Sequence, residues 1–142
     1  MTAATSSPGT TRSAAAQRRI ARGTAVVGAM ALNAVLWGIA SLLGADFVLT
    51  DSTGTGVVNL PVAVIFTAIF GLLGWGTLAL LERFTARAVA IWTGLAVAVA
   101  LLSIVPIFLE GASTATRVAL TVLHLAVAAV LVPAFRRTRT AR

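Results

Sequence analysis

The chain has no cysteine, no lysine and no tyrosine, and only one histidine and four acids among 142 residues. Each shortage closes a branch of chemistry. Without cysteine there is no disulfide, no thiolate nucleophile, no CxxC redox pair and no cysteine metal site. A single histidine, His124, rules out haem held by two histidines of one chain, and a zinc site would have to recruit carboxylates. The acids Asp46, Asp51, Glu82 and Glu110 all lie outside the interiors of the long apolar runs. A serine triad built on His124 therefore lacks a nearby carboxylate. These gaps point away from an enzyme, from a bound cofactor and from a metal centre; Asp46 and Asp51 alone would hold calcium only weakly, since that ion takes six or more oxygens.

What is present is apolar. Hydrophobic residues make up 58% of the chain and charged residues 11%, with a mean hydropathy of +0.98. Soluble domains hold roughly 45 to 50% apolar residues. A water-soluble fold must cover itself with polar groups, whereas a lipid-facing one leaves alanine, valine and leucine outside. The net charge of +7 comes from 11 arginines. They cluster at the ends of apolar runs and not on one polar face, which argues against nucleic acid and for the lipid bilayer as partner.

About 20 apolar residues cross a hydrocarbon core roughly 30 Å thick. Four stretches reach that length: 21–44, 60–81, 86–109 and 115–135. The expected fold is all-α, a four-helix transmembrane bundle running antiparallel up and down through one domain, residues 20–137. Residues 1–19, rich in Ser, Thr and Ala, read as a disordered tail, and 138–142 as a basic tail. The only long connection, ADFVLTDSTGTGVVN, is full of turn formers and reads as a flexible loop. Asn59 before Leu60 and Pro61 reads as a helix start. The links ERFT and EGAST are too short for anything but antiparallel neighbours.

Arginine placement sets direction. Arg12, Arg18, Arg19, Arg22, Arg83, Arg87, Arg136, Arg137, Arg139 and Arg142 fall on one side, and Arg117 alone on the other. By the positive-inside rule both termini are cytoplasmic and the long loop faces outward from the cell membrane. The arginine pair ahead of the first apolar run resembles a signal peptide, but that run is too long and lacks an A-x-A site.

Inside the spans the polar residues of interest are Asn33, Thr67, Ser103 and His124, on the order of 9 to 17 Å deep at the rise of a helix. They are expected to form an intramembrane polar cluster. At the outer mouth Arg117 is expected to pair with Glu110, Asp46 or Asp51. Small residues recur every four positions as Ala21, Ala25, Ala29 and Asn33, as Ala63, Thr67 and Gly71, and as Ala86, Ala90, Gly94 and Ala98. Such stripes allow close helix approach. The glycines of GLLGWG lack phosphate-loop spacing and serve packing. Trp75 and Trp92, near the inner ends of their spans, are placed to stack or to anchor at the interface.

His124 admits two readings. Intramembrane ionisable groups are functional candidates, here in an outward-facing pocket that binds or relays a proton. The structural reading is a hydrogen bond to Asn33, Thr67 or Ser103 that fixes helix register, worth about 0.6 to 2 kcal/mol. The structural one is preferred.

Taken together, ALNAVLWGIASLLGADF, GLLGWGTLALLERF and TRVALTVLHLAVAAVLVPAFRR resemble a family of small bacterial four-helix integral membrane proteins of unknown function, common in high-GC bacteria. The resemblance covers residues 20–137 and implies the same four spans, with Asn33, Asp46 and His124 as landmarks. It implies no activity. The expected role is that of a structural or partner-binding membrane protein, as a homo-oligomer or with another membrane protein. The alternative is a transporter or channel for a small solute or proton around His124. Against it, small multidrug transporters of this size depend on a membrane-embedded glutamate, whereas Glu82 and Glu110 stand at helix ends, and no inverted repeat is evident.

Overall fold

The computed structural model describes residues 8–138, with side chains from residue 14 onward. Residues 1–7 and 139–142, and with them most of the expected C-terminal tail, lie outside the described residues. The first helix, α1 (Pro8–Leu42), begins well before residue 20. That corrects the disordered reading for residues 8–19. Proline suits a first helical position, and the following Ala14, Ala15, Ala16, Gln17, Arg18 and Arg19 are all strong helix formers.

Gly44 ends α1 in the left-handed region, at φ 95°. The amide of Ala45 donates to the carbonyl of Ala40 at 3.0 Å and that of Gly44 to Ser41 at 3.1 Å. This is the Schellman pattern, for which glycine is suited because it has no Cβ to clash.

The connection expected as an irregular loop is a β-hairpin, β1 (Val48–Asp51) and β2 (Gly54–Val57), paired antiparallel with Val48 opposite Val57 and Asp51 opposite Gly54. The Asp51 carboxylate closes its turn, accepting from the amides of Thr53 at 2.7 Å and Gly54 at 3.1 Å. On its other edge β1 meets Gly111: the Thr50 amide donates to Gly111 O at 2.8 Å and the Gly111 amide to Thr50 O at 2.7 Å. A Cβ on Gly111 would stand 3.3 Å from Thr50 O, so the contact favours glycine.

Next comes α2 (Leu60–Phe84), capped as expected by Asn59, whose side chain accepts from the Val62 amide at 3.0 Å. The third apolar stretch is two helices, α3 (Ala88–Leu102) and α4 (Val105–Leu109), broken at Ser103 and Ile104. Pro106 accounts for the break, since it has no amide to give to the carbonyl four residues back. Last is α5 (Thr114–Arg137), started by Ser113, whose hydroxyl accepts from the Thr116 amide at 3.2 Å.

Four helical stretches, Ala14–Leu42, Leu60–Phe84, Ala88–Leu109 and Thr114–Arg137, are long and apolar enough to cross a membrane. Only 11 to 28% of each is buried within the chain. Large apolar side chains such as Leu42, Phe66, Leu73, Leu102 and Phe108 are exposed, and hydrocarbon is the medium that would cover them. Contacts set the neighbours antiparallel. Arg22 in the amino-terminal half of α1 bonds Glu82 near the end of α2, and Trp92 of α3 bonds Gly74 of α2. Both described chain ends, together with the α2–α3 link, thus lie at one end of the bundle, the terminal end. The hairpin lies at the other, the hairpin end.

Two apolar cores fill the bundle. At the hairpin end Ala45, Phe47, Ile107, Ala119, Leu120 and Leu123 cluster, with Leu36 and Trp37 against them. At the terminal end the core is Val26, Leu78, Trp92 and Phe135. Of the three expected small-residue faces, Ala63, Thr67 and Gly71 are buried. A Cβ on Gly71 would come within 3.1 Å of Val26, so here α1 and α2 approach closely. On α1 the buried stripe is Arg22, Val26, Ala29 and Asn33, while Ala21 is exposed. On α3 the expected face fails: Ala86, Ala90, Gly94 and Ala98 are all exposed. Burying Trp92 removes far more apolar surface than an alanine stripe would, and it turns those residues outward.

Candidate functional site

Three polar joints tie the helices together, one at each end and one between. At the terminal end Arg22 is 4% exposed, an arginine inside the protein. It makes a fork with Glu82, Nη2 to Oε1 at 2.7 Å and Nη1 to Oε2 at 3.1 Å. Two further donors reach Thr138, Nε to Oγ1 at 2.9 Å and Nη2 to the carbonyl at 2.9 Å. One planar guanidinium therefore holds α1, α2 and the end of α5 together. Arginine suits this because its five N–H groups are fixed in a fork that matches a carboxylate. Beside it Trp92 packs on Phe135 at 5.4 Å between ring centres. The Trp92 indole N–H donates to Gly74 O at 2.8 Å. Trp92 is thus a buried core residue and neither an interface anchor nor the stacking partner expected for Trp75.

Midway, Asn33 meets Thr67 as expected. Its Nδ2 donates to Thr67 Oγ1 at 2.7 Å and to Ala63 O at 3.2 Å. Thr67 in turn donates to Ala63 O at 2.8 Å. Since a carbonyl can only accept, the amide must point its nitrogen at Ala63. That leaves Asn33 Oδ1 buried without a hydrogen-bond partner among the described residues.

The other two members of the expected cluster do not join it. Ser103 donates to Ala100 O at 2.8 Å, back onto the last turn of α3. His124 places Nδ1 2.7 Å from Leu120 O, on its own helix. The expected interhelical bond of His124 is therefore absent among the described residues. Leu120 O cannot donate, so Nδ1 carries the proton, and in the neutral ring Nε2 is left as an acceptor. Arg117, Thr121, His124 and Ala128 form a flank of α5 that is only half-buried, beside the buried Thr116, Ala119, Leu120 and Leu123.

At the hairpin end the expected ion pairs of Arg117 do not form. Its Nη2 donates to the backbone carbonyl of Glu110 at 3.0 Å, and its Nε is buried without a partner among the described residues. The helix start at Ser113 supplies closer donors to the carboxylate that was expected to serve it. Asp46 accepts from Thr116 Oγ1 at 2.5 Å, Ser113 Oγ at 3.2 Å and the Val48 amide at 3.3 Å. These bonds, the Thr116 hydroxyl foremost, hold its carboxyl below the ordinary 3.8. Asp51 is lowered too, chiefly by the Thr53 hydroxyl and then the Thr53 amide. Between Asp46 and the strand lies Phe47, at φ 53°, a conformation rare for a bulky residue. It is held on every side: its amide donates to Thr116 Oγ1 at 2.9 Å, its carbonyl accepts from the Val58 amide at 2.9 Å, and its ring stacks on Trp37 at 5.2 Å.

Sequence reasoning missed the first of these joints. In the sequence Arg22 reads as a charge flanking the first span, yet it stands four, seven and eleven residues before Val26, Ala29 and Asn33, which is the spacing of one helix face. That spacing was the signal for its burial. Thr116 carried no such signal, because its role depends on where Asp46 and Phe47 arrive.

Among the described residues no group of three or more His, Asp or Glu side chains is placed to hold a metal ion. Two shallow grooves are open to the surroundings. One is lined by Val89, Pro133, Arg136 and Arg137, the other by the hairpin and Glu110. Neither includes His124.

Comparison with curated proteins and with solved structures yields no match. A family model does match, over residues 13–141, and so covers all four apolar helices. The chain belongs to that family, a family of unknown function (DUF6069).

Proposed function

We propose that this multi-pass membrane protein has a structural or partner-binding role in the cell membrane, without enzymatic activity and without binding nucleic acid. Both termini lie in the cytoplasm. Its partners besides lipid are a second copy of itself or another membrane protein. The observation that carries this reading is the use made of the buried polar groups. Arg22, Asn33 and Thr116 each bond a neighbouring element, and none of them lines either groove. Polar groups spent on joining helices make a fixed bundle, which suits a scaffold.

Crosslinking in native membranes followed by affinity purification of the full chain tests it. A discrete adduct, of two copies or with one membrane protein, is expected. A chain that remains wholly monomeric and unlinked refutes the partner-binding role.

One observation favours the alternative, a transporter or channel for a small solute or proton: the unpaired Oδ1 of Asn33 is an acceptor in the interior, where a passing donor would bond it. Proteoliposome flux that falls on Asn33→Leu and on His124→Ala would raise this reading above the first. Flux absent from the unaltered chain leaves the scaffold role in place.

A further inference from the structure

The groove between α3 and α5 at the terminal end has no part in the joints above. It is lined by Val89, Pro133, Arg136 and Arg137, with a volume of about 350 Å³. That falls within the roughly 300 to 1,000 Å³ of small-ligand sites. Its two arginines are exposed and have no acceptor among the described residues. Among the described residues the acid at this end is Glu82, which is held by Arg22. The same end of the bundle carries Arg18, Arg19, Arg83 and Arg87, so among the described side chains the charge there is strongly positive.

Depth identifies the kind of anion. Arg136 and Arg137 form the last turn of the apolar helix Thr114–Arg137, and Val89 opens the apolar helix Ala88–Leu109. The groove therefore sits where hydrocarbon gives way to headgroups. Further along α5, Ala129, Leu125 and Val122 are exposed, four, eight and eleven residues before Pro133 and so on the same side of the helix. An anion bound by the arginines with alkyl chains attached would lay those chains along that apolar flank. Basic pockets between membrane helices take anionic headgroups in this way.

We propose that the α3–α5 groove is a binding site for the phosphate headgroup of an anionic phospholipid, with Arg136 and Arg137 as its ligands and Val89 and Pro133 as its apolar floor. Arg22 supports the site from below. By fixing Thr138 it sets the end of α5, and so the positions of the two arginines.

The test is lipid retention by the full chain in detergent, read by native mass spectrometry with phosphatidylglycerol or phosphatidylcholine added. Phosphatidylglycerol is expected to be retained about tenfold more, since each arginine near an anionic headgroup contributes severalfold. Arg136→Gln with Arg137→Gln removes that preference. Arg18→Gln with Arg19→Gln, an equal loss of charge outside the groove, keeps it. Should the first double variant fail to fold, Val89→Trp fills the groove floor while retaining both charges, and is expected to abolish the preference as well. Equal retention of the two lipids overturns the proposal, as does an equal loss in the Arg18 and Arg19 variant. Displacement of phosphatidylglycerol by inorganic phosphate at the same concentration also overturns it, because the site would then take a soluble anion.

Discussion

Arg22 carries more of the architecture than any other single side chain. A guanidinium in the interior is tolerable only when its donors are used, and Arg22 gives two to Glu82 and two to Thr138. Removing one member of a buried pair leaves the other uncompensated, at about 3 kcal/mol or more. Arg22→Ala and Glu82→Gln should therefore each lower the midpoint of thermal unfolding in detergent markedly. Replacing both by leucine should cost less than either alone, which a double-mutant cycle measures. Arg22→Lys should not rescue, because one ammonium cannot match the fork. His124 makes the opposite case. Its one bond runs to Leu120 O of its own helix, so His124→Leu is expected to change stability by less than about 1 kcal/mol. A large drop on the same assay would reveal a tether the bond pattern does not contain. Composition singled out His124 because it is the only histidine; the side chain that joins helices was one of 11 arginines and went unnoticed.

Helices and connections differed in how far they could be read. A run of about 20 apolar residues has one stable form in lipid, so the four helical stretches were legible with ends a few residues out, except the start of the first, whose helix continues back through polar residues to Pro8. The hairpin was not, because its strands of four residues each lean on distant groups: Gly111 pairs with Thr50, and Thr116 bonds both Asp46 and Phe47. This dependence makes the hairpin end sensitive to acid. The folded carboxyl of Asp46 lies below 3.8, so folding weakens its proton binding. Its stabilising contribution is complete above the ordinary carboxylate value and is lost as pH falls through the lower folded one. Thermal unfolding followed from about pH 6 to about pH 3 should show a fall at the acidic end, and Asp46→Asn should flatten it. At the α1–α2 contact the decisive residue is Gly71. A methyl there would press on both branches of Val26, at 3.1 and 3.2 Å. Gly71→Ala is expected to destabilise by about 1 to 3 kcal/mol by overpacking. Val26→Ala in the same chain should recover part of that loss.

For the molecule as a whole, charge and hydropathy act on the same geometry. Contacts place the amino-terminal half of α1, the α2–α3 link and the end of α5 at one end, and seven arginines with described side chains gather there against one at the other. Translocating the terminal end would carry those charges across the membrane, whereas the hairpin end has Arg117 alone beside Asp46, Asp51 and Glu110. Reporter fusions at the amino and carboxyl ends should therefore both report the cytoplasm, while a reporter inserted between Ser52 and Thr53 in the hairpin turn should report the opposite face. The bias is distributed over three segments, so Arg18→Gln with Arg19→Gln should leave the orientation unchanged. Replacing Arg83, Arg87, Arg136 and Arg137 as well should yield mixed orientation. Termini reported on opposite faces would mean that one of the four apolar helices does not cross. Because Arg22 bonds both Glu82 and Thr138, such a result would also require the terminal joint to be broken in the membrane, and Arg22→Ala would then leave stability unchanged.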